Sequence, residues 1–174
     1  VVEVVKEVQV KVKVPVKPRD MPPLPASKLP KGLRVSSDAR FKIEAADGQP
    51  ASVVPVFRQF EELRLQRLPV VARPDGSKPT TSAGAMFDTS QFISGVIVME
   101  PQSAKAVENS SACTQTYMVV TAQPGSLQVD IADKTFLAGP GDHFWVPPDT
   151  DISMTNHSPD TPAEIGFTLL KPTV

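Results

Sequence analysis

The fold of this chain is decided by the stretch GDHFWVPPDTDISMTN, which occupies residues 141–156. Gly141 opens the stretch, Pro147 follows after five intervening residues, and Asn156 closes it. The aromatic and β-branched residues at 143–146 predict a short strand, and the alternation of apolar and polar residues at 152–155 predicts another. The Pro-Pro-Asp run between them is a turn signal. We therefore expect two strands joined by a turn.

The spacing of this stretch resembles the second sequence motif of the cupin barrels, Gly-x5-Pro-x-Gly-x2-His-x3-Asn. Gly141, Pro147 and Asn156 are in register with that motif. Asp149 stands at the position of its second glycine, and Ile152 stands where metal-binding cupins carry a histidine ligand. The resemblance implies a cupin scaffold that lacks the metal ligand of its second motif.

The first cupin motif, Gly-x5-His-x-His-x3–4-Glu-x6-Gly, leads to the same expectation when its last glycine is placed on Gly125. A metal-binding cupin needs several imidazole nitrogens and a carboxylate that converge on one ion. The chain has two histidines, His143 and His157, which are too few for such a cluster. We expect no metal and no other cofactor. The ligand positions are occupied by Ser111 and Cys113 (or, with the shorter spacing, Ala112 and Thr114), Met118 and Ile152.

No residue is expected to be catalytic, so the chain is predicted not to be an enzyme. Glu100 and Glu108 are candidates for the acid and base of an isomerase-type cupin. A general acid or base needs a partner group and a shifted pKa, and no histidine lies near either residue in sequence. One alternative stays open: a metal-independent cupin enzyme or a small-ligand-binding barrel, which requires a polar, ionisable cavity lining.

The composition is that of a globular protein without a strong charge bias. Of the 174 residues, 40% are hydrophobic and 21% are charged, as in ordinary globular domains. Lys and Arg number 18 and Asp and Glu number 19, so no basic field attracts nucleic acid. The single cysteine, Cys113, favours a reducing compartment. No apolar run approaches the roughly 20 residues that span a membrane, and the initial Val1 leads us to expect a segment of a longer polypeptide.

Three parts are predicted along the chain, at residues 1–45, 46–84 and 85–174. The first holds an alternating strand at 8–14, a proline-rich arm and a short strand around Phe41. In the second, residues 57–68 fit a short helix as well as irregular structure. The third is predicted to be an all-β cupin barrel, a double-sheet jelly roll. Its predicted strands are 92–99, 117–121, 127–131, 135–137, 143–146, 152–155 and 165–170.

The C-terminal half resembles the cupin domain that closes centromere protein C, an inner-kinetochore scaffold, in its fungal form. The segments that carry this resemblance are 95–101, 117–120, 125–129, 139–147 and 163–170. It implies a nuclear protein of the centromere and kinetochore, with a role in chromosome segregation. It also implies a homodimer that tethers two copies of the scaffold and raises their avidity for centromeric nucleosomes and kinetochore partners. Contact with nucleosomes or centromeric DNA is expected only from upstream regions of the full-length protein, and no membrane contact is expected.

Several predicted strands are apolar on both faces, more than one barrel interior requires. A strand that is apolar on both faces is usually buried on both faces. The second cover is either a partner subunit or the N-terminal strand of the same chain, and the sequence leaves both open. The candidate residues of the dimer interface are Val96, Val98, Val120, Phe167 and Leu169.

Overall fold

A computed structural model describes residues 40–43, 52–69 and 80–172, together with Pro25, Lys31 and Gly76. The chain divides into two compact units, Val1–Ser36 and Ser37–Val174, and every element named below belongs to the second. The strand predicted at residues 8–14 and most of the proline-rich arm lie outside the described residues. Within the described ranges, no helix has the length and hydropathy that crossing a bilayer requires.

The described elements are strands, apart from one short 3-10 helix at Phe60–Glu62. The pre-barrel strands are β1 Arg40–Ile43, β2 Ser52–Pro55 and β3 Gln66–Arg67. The barrel strands are β4 Thr81–Asp88, β5 Phe92–Met99, β6 Ala104–Asn109, β7 Thr114–Thr121, β8 Leu127–Ile131, β9 Lys134–Ala138, β10 His143–Val146, β11 Asp151–Asn156 and β12 Ala163–Leu170.

The barrel consists of two antiparallel sheets. The larger sheet has six strands in the order β10-β7-β12-β5-β4-β3, and the smaller has four in the order β6-β11-β8-β9. β1 and β2 form a separate two-stranded sheet. Neighbours in both barrel sheets are often distant in sequence, as in a jelly roll. The expected all-β double-sheet architecture is therefore confirmed.

The core lies between the two sheets. Successive side chains of a strand point to opposite faces of its sheet, so every second residue faces this core. In β11, Ile152, Met154 and Asn156 are buried, and the residues between them point outward. The same alternation in β8 buries Leu127 and Val129. Each fully buried aliphatic side chain of this kind stabilises the fold by about 1.5–3 kcal/mol.

The stretch at 141–156 folds as two strands joined by a turn, as predicted, but the strands enter different sheets. β10 pairs with β7 in the larger sheet, whereas β11 pairs with β6 and β8 in the smaller. The turn between them is left-handed at Asp149, with φ of 53°. The N–H of Asp149 donates to the carbonyl of Ser111 over 2.6 Å. The turn therefore keeps the backbone conformation that the motif's glycine adopts without strain.

The pre-barrel segment is mostly irregular. Residues 57–68 contain the 3-10 helix and the two-residue β3, so of the two alternatives irregular structure is correct. The strand expected around Phe41 is present as β1, paired with β2. β3 pairs with β4 and so joins the edge of the larger sheet.

The predicted barrel strands are all present, three of them with the predicted bounds: β5, β8 and β10. Two barrel strands were not predicted, β4 and β6. Both contain few of the β-branched and aromatic residues that mark strands in sequence. In β6, Ala104-Lys105-Ala106-Val107-Glu108-Asn109, the charged residues also interrupt the apolar alternation.

Candidate functional site

The outer side of the larger sheet carries an apolar surface. In β7, Gln115, Tyr117 and Val119 point into the core, so the residues between them point outward. Met118 is 42% exposed and Val120 is 39% exposed. The strand register extends this outward side over β10, β12 and β5. We call it the apolar face, and its apolar side chains include Val96, Val98, Met118, Val120, Trp145 and Leu170.

Gly166 lies at the centre of the apolar face, where the missing side chain leaves a depression. Its register partners are Met118 on β7 and Val96 on β5. A Cβ atom at Gly166 would lie 3.9 Å from the carbonyl oxygen of Met118 and 4.0 Å from Cγ2 of Val120, which are ordinary contacts. A shallow cavity of about 350 Å³ is lined by residues of β5, β7 and β12 around Gly166. Another surface can therefore approach the sheet closely here.

One end of the apolar face is covered by the chain itself. A Cβ atom at Gly84 of β4 would lie 2.6 Å from Cδ1 of Leu63 and 2.7 Å from the carbonyl oxygen of Arg64. The pre-barrel segment thus packs directly against β4, and only a glycine fits there. Farther along the face, Trp145 is 60% exposed. The cover supplied by the described pre-barrel residues does not extend to β7 and β10.

The structure separates the five residues proposed for the dimer interface. Three of them lie on the apolar face: Val96, Val98 and Val120. Phe167 opposes the buried Tyr117 and packs against the core. Leu169 opposes the buried Gln115. Directly opposed residues share one side of a sheet, so Phe167 and Leu169 face the barrel interior and are removed from the set.

The four positions equivalent to cupin metal ligands do not converge. Met118 lies on the apolar face, whereas Ile152 is buried in the core from the opposite sheet. Ser111 and Cys113 lie in the turn before β7. Among the described residues, no three His, Cys, Asp or Glu side chains come together as a metal site requires. The residues present do not fit the metal that many cupins bind, because the isoleucine side chain occupies the position of the imidazole.

The retained asparagine of the second motif is structural. Asn156 is fully buried, and its Nδ2 donates to the carbonyl oxygens of Met99, Glu100 and Thr161 over 3.3, 3.2 and 2.9 Å. Its Oδ1 accepts the N–H of Ser158 over 3.0 Å. One side chain thereby joins the end of β5 to the loop after β11.

A charged pair lies at one end of the barrel interior, which the sequence pattern did not reveal. Lys105 is 5% exposed, and its Nζ lies 2.6 Å from Oε1 of Glu108. Residues three apart in a regular strand point to opposite sides. Here the register of β6 against β11 shifts between the partners of Lys105 and Glu108. This bulge places both side chains on the same side of β6, so sequence periodicity gave no signal for the pair.

The interior beside this pair is polar in part. The hydroxyl of Tyr117 donates to Oε1 of Gln115 over 2.7 Å, and both residues are buried. Burial, with a smaller contribution from the Glu108 charge, raises the pKa of Tyr117 far above its ordinary value. The phenol is therefore neutral at physiological pH. Glu108, one of the two carboxylates considered as acid or base, lines the same cavity as Tyr117.

Glu100, the other carboxylate, lies elsewhere. Its Oε2 accepts the N–H of Thr80 over 2.9 Å. Hydrogen bonds from Thr80 lower the pKa of Glu100, with a smaller contribution from the charge of Arg67. This carboxylate is nearly fully accessible to solvent. Its hydrogen bond joins the residue after β5 to the residue before β4. It does not form a site with Glu108.

The outer side of the smaller sheet is polar. The Asp130 carboxylate accepts hydrogen bonds from Thr135 Oγ1 over 2.7 Å, Gln128 Nε2 over 2.9 Å and Ser153 Oγ over 3.1 Å. The Thr135 and Gln128 bonds, and then that of Ser153, hold the pKa of Asp130 below its ordinary value. His157 Nε2 lies 2.7 Å from Oε1 of Gln128. We call this side the polar face.

Solved structures similar to this chain are cupin barrels. The cupin domain of Schizosaccharomyces pombe Cnp3 is 15% identical with a TM-score of 0.60, and the match covers 76% of this chain and 86% of that one. A predicted oxalate decarboxylase from Thermotoga maritima is 12% identical with a TM-score of 0.54, covering 66% and 97%. An RmlC-like cupin from Shewanella frigidimarina is 15% identical with a TM-score of 0.51, covering 67% and 90%. At these identities the likeness establishes the cupin fold.

The family is established by sequence. Among curated proteins, no sequence match was found. A model of the family described as Mif2/CENP-C like matches residues 83–169, which is 87 of 174 residues or half of the chain. The matched segment contains the barrel strands from β5 to β11 and most of β4 and β12. The barrel is therefore a kinetochore-related cupin domain, and the chain belongs to the Mif2/CENP-C like family.

Proposed function

We propose that the barrel is a non-catalytic homodimerisation domain of a centromere and kinetochore scaffold. The observation that carries this proposal is the apolar face. Met118, Val120, Trp145 and Leu170 expose large apolar side chains on one side of one sheet. An exposed apolar patch of this kind marks an interaction site.

A second copy of the chain is the occupant that this face fits best. A two-fold interface brings the same patch of both subunits together and must be complementary to itself. The apolar face satisfies this requirement, because apolar side chains surround the depression at Gly166 and pack equally well against their own kind. On β5, β7, β10 and β12, the ionisable side chains that the register places on it are His143 and Glu164. Little like-charge repulsion therefore opposes self-association.

Dimerisation would act by raising avidity. Linking two copies of the scaffold turns the second binding event of its upstream segments into an intramolecular one, which strengthens binding without new contacts. Centromeric nucleosomes and kinetochore proteins are the proposed targets, contacted from outside this domain, in the nucleus. The absence of enzymatic activity is part of the same proposal. It is supported by the family and by an isoleucine at the position of a cupin metal ligand.

The test is sedimentation equilibrium of the chain and two matched variants at micromolar concentration. Val120→Glu places a carboxylate on the apolar face. Val107→Glu makes the same change at a strand residue of the smaller sheet that is 67% exposed. We expect a wild-type dimer that Val120→Glu weakens by roughly 100-fold, since burying an unpaired charge costs several kcal/mol. Val107→Glu should leave the dimer unchanged.

Two results would contradict the proposal. A wild-type chain that is monomeric at micromolar concentration would remove its basis. Equal weakening by both glutamate variants would show that the apolar face is not the interface. Circular dichroism of each variant checks that the barrel remains folded.

A further inference from the structure

The ammonium group of Lys105 is buried and makes only part of the hydrogen bonding that it can. The side chain is 4% exposed, and within the described ranges Nζ has the ion pair with Glu108 Oε1, at 2.6 Å, and no further partner. An ammonium group carries three donors, and a buried donor without an acceptor is costly. We therefore expect the remaining donors of this ammonium group to bind a ligand that carries an acceptor.

Two small cavities meet at Lys105. One of about 160 Å³ is lined by Lys105, Glu108 and Tyr117 together with apolar side chains, among them Ile97, Phe167 and Leu169. The other, of about 140 Å³, lies between the same charged pair and Pro69. The larger cavity holds about five water molecules at roughly 30 Å³ each, or one short organic molecule.

Leu68, the first residue after β3, lines both cavities. Its N–H donates to the carbonyl of Thr81 over 2.8 Å, which fixes the segment at the edge of β4. The chain therefore places one aliphatic side chain over the cavity. Leu68 and Leu169, both half-buried, supply the apolar surface that a hydrocarbon group would contact.

Glu108 differs from Lys105 in its exposure. Its side chain is 47% exposed, whereas that of Lys105 is 4% exposed. The lysine is enclosed by the barrel, whereas about half of the glutamate side chain is accessible to solvent. The carboxylate of a ligand can therefore replace the Glu108 carboxylate beside Lys105 Nζ.

We propose that this cavity is a binding site for short-chain aliphatic carboxylates. The carboxylate of the ligand replaces that of Glu108 on Lys105 Nζ, and the hydrocarbon chain fills the apolar part of the cavity. Charge decides against an amine, because the Lys105 ammonium group repels a second cation. An uncharged alcohol or amide would form a weaker bond to the ammonium group than a carboxylate does. The site lies inside the barrel and is separate from the apolar face.

The proposal is tested by titrating the chain with sodium hexanoate and following the backbone amide signals of β4, β6 and β12 by NMR. 1-Hexanol and hexylamine are the matched probes with the same hydrocarbon chain and a different head group. We expect hexanoate to shift these signals saturably and to bind at least about tenfold more tightly than either matched probe, the difference of one charge-assisted hydrogen bond.

Three variants separate the contributions of the Lys105 charge, the Glu108 carboxylate and the volume of the apolar lining. Lys105→Met keeps the length of the side chain and removes the charge, and it should weaken hexanoate binding by at least about tenfold. Glu108→Gln removes the internal competitor and should strengthen binding several-fold. Ala83→Val adds volume to the apolar lining, so it should weaken hexanoate and leave acetate unchanged.

The opposite signs expected for Lys105→Met and Glu108→Gln are the decisive result. Binding that Glu108→Gln weakens, or a preference for hexylamine or hexanol, would overturn the carboxylate assignment. The absence of saturable shifts with wild type and Glu108→Gln would overturn the site, and Lys105 would then serve only the ion pair with Glu108. Glu108→Gln keeps a side-chain oxygen beside Lys105 but removes its counter-charge, which costs stability. Circular dichroism therefore checks that this variant is folded before its binding is compared.

Discussion

The two sheets of this barrel present outer faces of opposite character. On the polar face, the Asp130 carboxylate is satisfied by Gln128, Thr135 and Ser153 of the same chain. On the apolar face, Trp145 and its neighbours are exposed and have no comparable partner in the described part of the chain. The smaller sheet also exposes three apolar side chains on its edge strands: Val107, Phe136 and Leu137.

The same alternation of side chains builds both faces, so the contrast does not come from the fold. Each strand has to supply only one apolar row to fill the barrel. On the smaller sheet, polar side chains of the outward row hydrogen-bond to one another within the chain. These polar groups need no partner molecule. The larger sheet uses its other row for apolar side chains, whose burial is stabilising only when another surface covers them. On the proposed function, comparing the faces favours the larger sheet as the one that associates.

Asn156→Ala is expected to have the largest effect, and it should affect both faces alike. The change leaves three carbonyl oxygens and one N–H without their buried partner, so the free energy of unfolding should fall by about 3 kcal/mol. Urea denaturation measures this loss. The dimer dissociation constant of the protein that remains folded should change little. A variant that dimerises poorly while fully folded would show that the end of β5 contributes to the interface.

Gly166→Val should separate association from stability. The added side chain meets only ordinary contacts within the chain, and valine suits a strand better than glycine. The melting temperature of the monomer should therefore stay equal or rise. The side chain fills the depression where a partner approaches, so the dimer should weaken by roughly 100-fold, about 2.7 kcal/mol. Sedimentation and thermal melts on one sample measure both, and unchanged dimerisation would place the interface elsewhere.

Acid should act on the polar face. The folded pKa of Asp130 is lowered by its hydrogen bonds, so its contribution to stability is present above the unfolded pKa of about 3.9 and lost as the pH falls through the folded value. The loss should be small, because the carboxylate is accessible to solvent. Asp130→Asn should reduce the dependence of unfolding on pH below the unfolded pKa of about 3.9. A dimer constant that follows the same titration would contradict the separation of the faces.

Salt should have the smallest effect. Raising sodium chloride from 0.1 M to 0.5 M shortens the screening length well below its initial value of about 10 Å. Since the apolar face carries few ionisable groups, the dimer dissociation constant should change by less than about twofold. Sedimentation at both salt concentrations measures this. A strong weakening by salt would point to an interface built on charge instead.

The sequence predicted the barrel well because its strands follow simple patterns. β5, β8 and β10 have the bounds expected from apolar alternation and turn residues. β6 was missed because alanine, lysine and glutamate carry no strand signal in isolation. The irregular segment before β3 stayed ambiguous because its apolar residues fit two periodicities.

The candidate surfaces were harder to predict, for a geometric reason. A strand that is apolar on both sides does not show which side meets the core, so Phe167 was assigned to the interface although it opposes Tyr117 inside the barrel. The pairing of Lys105 with Glu108 depends on a bulge in β6. Bulges arise from the pairing of distant strands, and neither residue's neighbours in sequence encode them.

The left-handed turn at Asp149 has a consequence for how such barrels change over evolutionary time. The position of the motif's glycine carries a side chain here, yet the backbone retains the positive φ. Hydrogen bonds through Ser110 and Ser111 hold the turn, and a left-handed non-glycine residue costs only about 1–2 kcal/mol. The loop and the metal ligand three residues later are therefore separable traits. A lineage can give up the chemistry of the barrel one residue at a time and inherit its architecture intact.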